Sequence, residues 1–144
     1  MLVDFTMLAS QENRARVALR LMNDDDKKGQ ASRFVANLKH EYGYGSATMC
    51  LVYNATGSTL HHQPTTDNQL SSGGSLYREE YPKEIRNGQW AAFLHVHTTK
   101  GTTGSVAAAV YRARNSKGQE RDILLAWYTE PLSPKQHNKV NMSC

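Results

Sequence analysis

The sequence predicts an α+β fold, in which an N-terminal helical hairpin precedes a mainly antiparallel β-sandwich. Residues up to 43 place apolar side chains at helical spacing, whereas residues 47–129 alternate with the period of two that a strand requires. Glycine- and asparagine-rich turns separate the alternating segments at intervals typical of antiparallel strands. A length of 144 residues suits a single domain. We divide it into a hairpin at about 10–43, a sandwich at about 46–131 and a polar tail at 132–144.

The helical hairpin is predicted from its caps and from an apolar stripe. Ser10 is a typical N-cap for a helix that runs to about Met22. The second helix covers about residues 28–42 and ends at Gly43, which favours the left-handed conformation of a helix stop. Its stripe has to be buried, so we expect it to pack on one sheet face or on one end of the sandwich. The stripe consists of Ala31, Phe34, Val35, Leu38 and Tyr42.

The strand region begins at Ala47 with a segment that is apolar on both faces, which predicts a central strand. Segments 90–97, 106–112 and 123–129 follow, separated by turn formers, and predict an antiparallel meander. Connections 64–74 and 98–104 are polar and glycine-rich, which predicts surface loops. The large residues of these strands are the predicted core, with both tryptophans between the sheets. They are Trp90, Phe93, Val110, Leu125 and Trp127.

The composition excludes several classes of protein. The formal charge is +4, but basic residues are scattered among acidic ones instead of forming a patch, so we expect no nucleic-acid partner. No apolar run is long enough for a membrane helix, and the N-terminus lacks a basic region before an apolar core. We therefore expect no transmembrane segment and a cytoplasmic location. Cys50, within an apolar strand, is expected to be a packed, reduced thiol.

No catalytic or cofactor-binding motif occurs in the sequence, which favours a non-enzymatic protein without a cofactor. The strongest alternative is a metal-binding protein or enzyme that uses His95 and His97, which share one side of a predicted strand. Catalytic zinc needs three convergent protein ligands, and His61 is the candidate for the third. A further alternative is a structural protein whose exposed sheet edge pairs with a second copy.

Several motifs are similar to those of the plant 23 kDa jasmonate-induced protein family. They are the strand and turn 47–57, the segment 87–97 after Tyr81-Pro82, the segment 104–112, and Leu125-Ala-Trp127. The helical segment 13–43 fits the same family. This resemblance implies an intracellular plant protein associated with stress and defence, without an established enzymatic activity.

A fainter similarity, to actinoporin-like β-sandwiches, rests on the order of turns from Asn54…Gly57 through Gly104-Ser105-Val106 to Pro131. It implies a headgroup-binding corner, although the toxins' tyrosine-rich segment and pore helix have no counterpart here. We therefore expect recognition of a carbohydrate, a lipid headgroup or a protein through loops at one edge of the sandwich. Aromatic faces stack on sugars and attract cationic headgroups. The predicted ligand-binding set is Ser72, Tyr77, Val106, Trp127, Tyr128, Thr129 and Pro131.

Overall fold

The computed structural model describes residues 10–64, 71–72, 74–78, 80–97 and 104–131. Within these ranges it contains two α-helices, a short 3₁₀ turn between them, and eight strands, all of whose pairings are antiparallel. The α+β class is therefore confirmed. The helices are α1 (Gln11–Arg20) and α2 (Lys27–Tyr42). The strands are β1 (Ala47–Tyr53), β2 (Leu60–Gln63), β3 (Ser71–Ser72), β4 (Gly74–Leu76), β5 (Glu84–Ile85), β6 (Trp90–His97), β7 (Ser105–Arg114) and β8 (Glu120–Thr129).

The strands form two sheets that share one apolar core. The three-stranded sheet has the order β1-β6-β4. In the five-stranded sheet β8 pairs with β7 along its whole length, so β2 and β3 share the other edge of β7, and β5 lies beyond β2. Both sheets contribute large side chains to the same buried cluster, so the inner face of each sheet is the one that points toward the other. The cluster includes Cys50 and Phe93 from the first sheet and Ile85, Tyr111 and Trp127 from the second.

The predicted meander is wrong at its first connection. Strand β6 pairs with β1 and β4, whereas β7 pairs with β8 in the other sheet. Residues 93–97 are all buried, because one face of β6 meets the second sheet and the other meets α2. Strand β6 is the middle strand of its sheet because it pairs with β1 on one edge and with β4 on the other. The hairpin β7–β8 does follow the predicted order.

Strand β1, a central strand by prediction, lies at a sheet edge. Its apolar character on both faces has another cause. Helix α2 places Val35 and Leu38 against the outer face of this sheet, where they join Leu94 and Val96 in a second buried cluster. Burial of both faces therefore comes from a helix on one side and a sheet on the other, and not from strands on both edges. Cys50, on the inner face of β1, is a buried thiol, as predicted.

Three further sequence predictions need correction. Trp90 does not fill the space between the sheets. Its ring packs at a tilt against that of Tyr53, with the centroids 4.9 Å apart, and its Nε1 donates to the carbonyl of Met22 at 2.9 Å. Val110 pairs with the exposed Leu124, and its side chain therefore points away from the core. Strands β3 and β4 occupy part of the predicted loop 64–74, because their backbones pair with β7 and β6 despite a loop-like composition. The other residues of that loop, most of loop 98–104 and the tail 132–144 lie outside the described residues.

Helix α1 is attached to the turn after β1 by side-chain hydrogen bonds. Gln11 Nε2 donates to the carbonyl of Thr56 at 3.0 Å, and Arg14 Nε donates to the carbonyl of Gly57 at 2.9 Å. From the other side, Asn87 Nδ2 donates to the carbonyl of Arg14 at 3.1 Å. Ala18 is the buried residue of this helix, so polar contacts and not a large apolar face hold it in place.

The close approach of α1 makes Gly57 sensitive to any side chain. Gly57 and Gly118 both have positive φ angles, 77° and 75°, but a Cβ on Gly57 would lie 2.1 Å from the carbonyl oxygen of Gln11, whereas one on Gly118 meets nothing within 4 Å. We expect Gly118→Ala to lower the free energy of unfolding by about 1 kcal/mol through backbone strain. Gly57→Ala should cost about 1–3 kcal/mol more, because α1 has to move. Urea unfolding of both variants measures the difference, and equal costs would contradict the contact.

Candidate functional site

The inner faces of the two sheets end in polar residues on the same side of the molecule. Thr48 and His95 lie directly opposite each other near the ends of β1 and β6. Ser105 and Thr129 form the corresponding pair at the end of β7 and β8. The hydroxyl groups of Thr48 and Thr129 hydrogen-bond across the gap between the sheets and bring the two pairs together. With Trp127, the next inward residue of β8, these five residues are called the polar end layer.

Several polar atoms of this layer are buried without a hydrogen bond. The residues concerned are almost inaccessible to solvent: His95 is 1% exposed, Ser105 0% and Trp127 5%. Both ring nitrogens of His95, the Oγ of Ser105 and the Nε1 of Trp127 have no hydrogen-bond partner in the part of the chain that the structure describes. Buried polar atoms are nearly always bonded in folded proteins, so three such side chains in one layer are unusual.

His95 occupies its place because the neighbouring strand carries a glycine. A Cβ on Gly74 would lie 2.6 Å from the Cε1 of His95, so any side chain there would collide with the imidazole ring. On its other side the ring packs edge-on against Trp127, with the centroids 5.6 Å apart. Burial lowers the pKa of His95 to about 4, and the nearby His97 acts in the same direction. The imidazole is therefore neutral at pH 7.

The outer face of β7 and β8, near the same end, carries exposed apolar side chains. Val106 and Tyr128 lie directly opposite each other and are 53% and 50% exposed. The pair Val110 and Leu124 lies four residues further along, a distance of about 13 Å at the rise of a strand. With the pair Ala108 and Ala126 between them, these residues are called the apolar outer stripe.

An ion pair bounds the stripe at its far end. Arg112 Nε lies 2.7 Å from Asp122 Oδ1, and these two residues also face each other across β7 and β8. The hydrogen bond lowers the pKa of the Asp122 carboxyl group. Arg112 is thus neutralised by its neighbours, and the stripe itself carries no charge.

The structure divides the predicted ligand-binding residues between two faces. Ser72, on β3, pairs with Val106, which pairs with Tyr128, so these three positions lie at the same level of three neighbouring strands. Val106 and Tyr128 point to the outer face. Trp127 and Thr129 belong to the polar end layer inside. Pro131 is exposed just after β8. Tyr77 is separate from all of these: it packs against Tyr42 of α2, with the ring centroids 5.4 Å apart.

The three histidines of the metal hypothesis do not converge. His95 and His97 lie on the inner face of the three-stranded sheet, whereas His61 lies on the outer face of the other sheet, 3.5 Å from Glu84. Across the described ranges no group of three His, Cys, Asp or Glu side chains is close enough to hold a metal ion. The hypothesis of a site built from His61, His95 and His97 is therefore wrong, because the two sheets direct these side chains to different sides.

Sequence reasoning missed Thr48, Ser105 and Leu124. A signal for the first two was present: each is a polar residue at an inward position of an otherwise apolar alternation. Leu124 broke the pattern in the opposite sense, as a large apolar residue in an outward position.

The outer edge of β8 has no partner strand among the described strands, and homo-oligomerisation through it stays a prediction. Neither described helix is both long and apolar enough to cross a membrane.

The chain is similar to known proteins over most of its length. The family profile described as Nakanori-like protein matches residues 6–142. A 23 kDa jasmonate-induced protein of Hordeum vulgare is 42% identical over 119 residues, which are 82% of this chain and 55% of that protein. The predicted resemblance to jasmonate-induced proteins is thereby confirmed. The chain spans about half the length of this relative.

The fold is shared with a solved structure, the crystal structure of the lipid binding protein Nakanori. The two chains superpose with a TM-score of 0.60 and 24% sequence identity, over 84% of this chain and 62% of the Nakanori chain. At this identity the comparison establishes the common fold. The two sheets described above therefore belong to a known architecture.

Proposed function

This chain belongs to the Nakanori-like protein family, and from that premise we propose that it recognises a lipid surface through the apolar outer stripe. The observation that carries the proposal is the exposure of Val106 and Tyr128 side by side on a sheet face. The shared fold with Nakanori, which is a lipid binding protein, supports this choice of ligand. The jasmonate-induced relative supports a stress-associated role.

The stripe suits the boundary between lipid headgroups and acyl chains. A tyrosine places an apolar ring in lipid and its hydroxyl group in the headgroup layer, which is why tyrosine is enriched at membrane interfaces. Val106, beside Tyr128, and Leu124, four residues further along the strands, add aliphatic surface. Burial of such surface is favourable by about 25 cal/mol per Å². Together they give a short apolar contact that rests on a lipid surface without crossing it.

Charge should contribute little to this contact. The net charge of +4 is spread over the chain, and the arginine nearest the stripe, Arg112, is held by Asp122. Attraction between a basic surface and anionic lipid falls steeply with salt, because exposed charges are screened over about 8–10 Å. Apolar contact does not weaken in this way. We therefore expect binding that persists when salt is raised and that does not require anionic lipid.

Removal of the two central side chains tests the proposal. Val106→Ser with Tyr128→Ser should weaken binding to phosphatidylcholine vesicles about tenfold or more, because both apolar contacts are lost. The measurement is vesicle co-sedimentation at low and high salt, with and without phosphatidylserine. Val17→Ser with Leu19→Ser is the matched control, since these residues of α1 are equally exposed, at 51% and 58%, but lie away from the stripe.

Three results would overturn lipid recognition by the stripe. The first is that the wild-type chain binds none of these vesicles. The second is that both double variants lose binding equally, which would indicate non-specific adhesion. The third is that vesicles give no signal while a glycan array gives a specific signal that Val106→Ser with Tyr128→Ser removes, which would assign the stripe to carbohydrate.

A further inference from the structure

The polar end layer lies inside the molecule, on the face of β7 and β8 opposite to the stripe. Some of its buried polar atoms have no hydrogen-bond partner among the described residues. A buried polar group without a partner costs about 1–3 kcal/mol. His95, Ser105 and Trp127 together therefore lower the stability substantially unless another molecule completes their bonds. Core positions of this kind are readily filled by apolar residues, as Phe93 and Ala107 show one inward position away on β6 and β7.

These unpartnered groups are neighbours in space. The ring of His95 contacts the ring of Trp127 at 5.6 Å between centroids. Ser105 lies opposite Thr129, whose hydroxyl group is bonded to Thr48, and Thr48 lies opposite His95. The Thr48–Thr129 bond thus closes a chain of contacts that runs from one sheet to the other. The unbonded donors and acceptors of His95, Ser105 and Trp127 therefore lie within one layer of neighbouring side chains.

The chemistry of the layer selects an uncharged group. Its described residues include no carboxylate, lysine or arginine, and the imidazole is neutral at pH 7. An ion would lose its hydration here without meeting an opposite charge, which is strongly unfavourable. Trp127 offers only a donor, Ser105 offers a donor and an acceptor, and neutral His95 offers one of each. A group that both accepts and donates, such as a hydroxyl group, matches this set.

We propose that the polar end layer binds a hydroxyl group of an uncharged ligand between the ends of the two sheets, through the unbonded polar atoms of His95, Ser105 and Trp127. The site is distinct from the apolar outer stripe because it uses the opposite face of β7 and β8. It does not depend on the stripe being a lipid contact. The same hydroxyl chemistry occurs in a free sugar or polyol and in the sugar headgroup of a glycolipid.

The two tryptophans provide a direct test. The Nε1–H of Trp90 is bonded to the Met22 carbonyl, whereas that of Trp127 has no partner among the described residues. The indole signals are followed in a ¹H–¹⁵N NMR spectrum during two separate titrations. The first uses galactose, inositol or glycerol, and the second uses phosphatidylcholine vesicles with or without galactosylceramide. The ligand should shift the Trp127 signal and leave that of Trp90 in place. Trp90→Phe assigns the two signals. A shift with the free compounds identifies a soluble ligand, and a shift only with galactosylceramide identifies a glycolipid.

Ser105→Ala should weaken binding of whichever probe shifts Trp127 about tenfold, the effect of one lost neutral hydrogen bond. Ser75→Ala, at an exposed position on β4, is the matched control and should leave binding unchanged. A thermal melt of each variant confirms that it is folded.

The proposal is overturned if no probe shifts the Trp127 signal, if both indole signals move together, or if Ser105→Ala and Ser75→Ala bind alike. The stripe variant Val106→Ser with Tyr128→Ser separates the two proposals, since it should weaken binding to phosphatidylcholine vesicles about tenfold or more but keep the response to a free compound.

Discussion

Replacement of Phe93 by alanine is expected to lower the free energy of unfolding by about 3–5 kcal/mol, the usual cost of removing a buried aromatic ring. Phe93 is 1% exposed and lies at the centre of the cluster that both sheets share. Its ring is 5.3 Å from that of Tyr81 and 5.5 Å from that of Trp127, between centroids. Both sheets therefore lose contacts at once, and large neighbouring rings cannot collapse easily into the cavity.

Phe34→Ala removes the same atoms from an exposed position on α2 and provides the control. It should cost clearly less, about 1–2 kcal/mol, because 44% of the Phe34 surface stays exposed in the folded protein. Urea unfolding followed by tryptophan fluorescence measures both variants. Equal losses would mean that the two sheets do not pack face to face around Phe93, and the architecture on which both proposed sites depend would then be incorrect.

Local patterns are sufficient for the elements whose determinants are local. The helix stop at Gly43 is readable because glycine adopts a positive φ at little cost, and φ is 81° there. The ψ angle is −137°, so the residue lies outside the left-handed helical conformation that the sequence predicts. Helix α2 begins at Lys27, one residue before the predicted start. The alternation in β6 also predicts the correct faces, with Phe93 toward the second sheet and Leu94 toward the helix.

Pairing between strands is not readable from the sequence. Alternation reports which side a residue faces but not which strand lies beside it, so the pattern predicts one sheet for β6 and β7 although they belong to two. The same limit explains why β1 is predicted as a central strand. Its two apolar faces are covered by a helix on one side and by a sheet on the other, and this covering does not require a neighbouring strand on both edges. Sheet membership depends on contacts between residues far apart in the chain.

The candidate site is partly predictable, for the same reason. Ser72, Val106 and Tyr128 come from separate stretches of sequence, and strand pairing places them in one row. Trp127 is predicted both as a core residue and as a ligand-binding residue, and it faces inward. Thr129 is predicted only as a ligand-binding residue but is also buried, because the phase of β8 relative to the core follows from its pairing with β7. Thr48 is recognisable as a polar residue in an apolar strand, but its contact is not predictable, since it is a hydrogen bond to a residue 81 positions away.

The stability of the protein should fall as the pH is lowered from about 6.5 to about 4, and His95 should be a principal cause. Its pKa is lowered from 6.5 to about 4 in the folded state by burial first and by His97 second. In that window the unfolded chain binds a proton at His95 and the folded chain does not, so protonation favours unfolding. The stability is therefore fully present above pH 6.5 and is lost progressively down to the folded pKa. A pKa difference of this size corresponds to about 3 kcal/mol.

His95→Gln isolates this contribution because glutamine does not titrate. Urea unfolding of the wild type and of the variant at pH 7.0, 5.5 and 4.5 should show that the variant loses about 2–3 kcal/mol less over this range, whatever its stability at pH 7. The carboxyl groups and His62, whose pKa is also lowered by burial, act in both proteins and cancel in the comparison. His61→Gln, which removes an exposed histidine, is the control. Parallel pH dependences for wild type and His95→Gln would show that the imidazole is solvated or bonded in the folded protein, and the polar end layer would then not be the closed, uncharged environment described above.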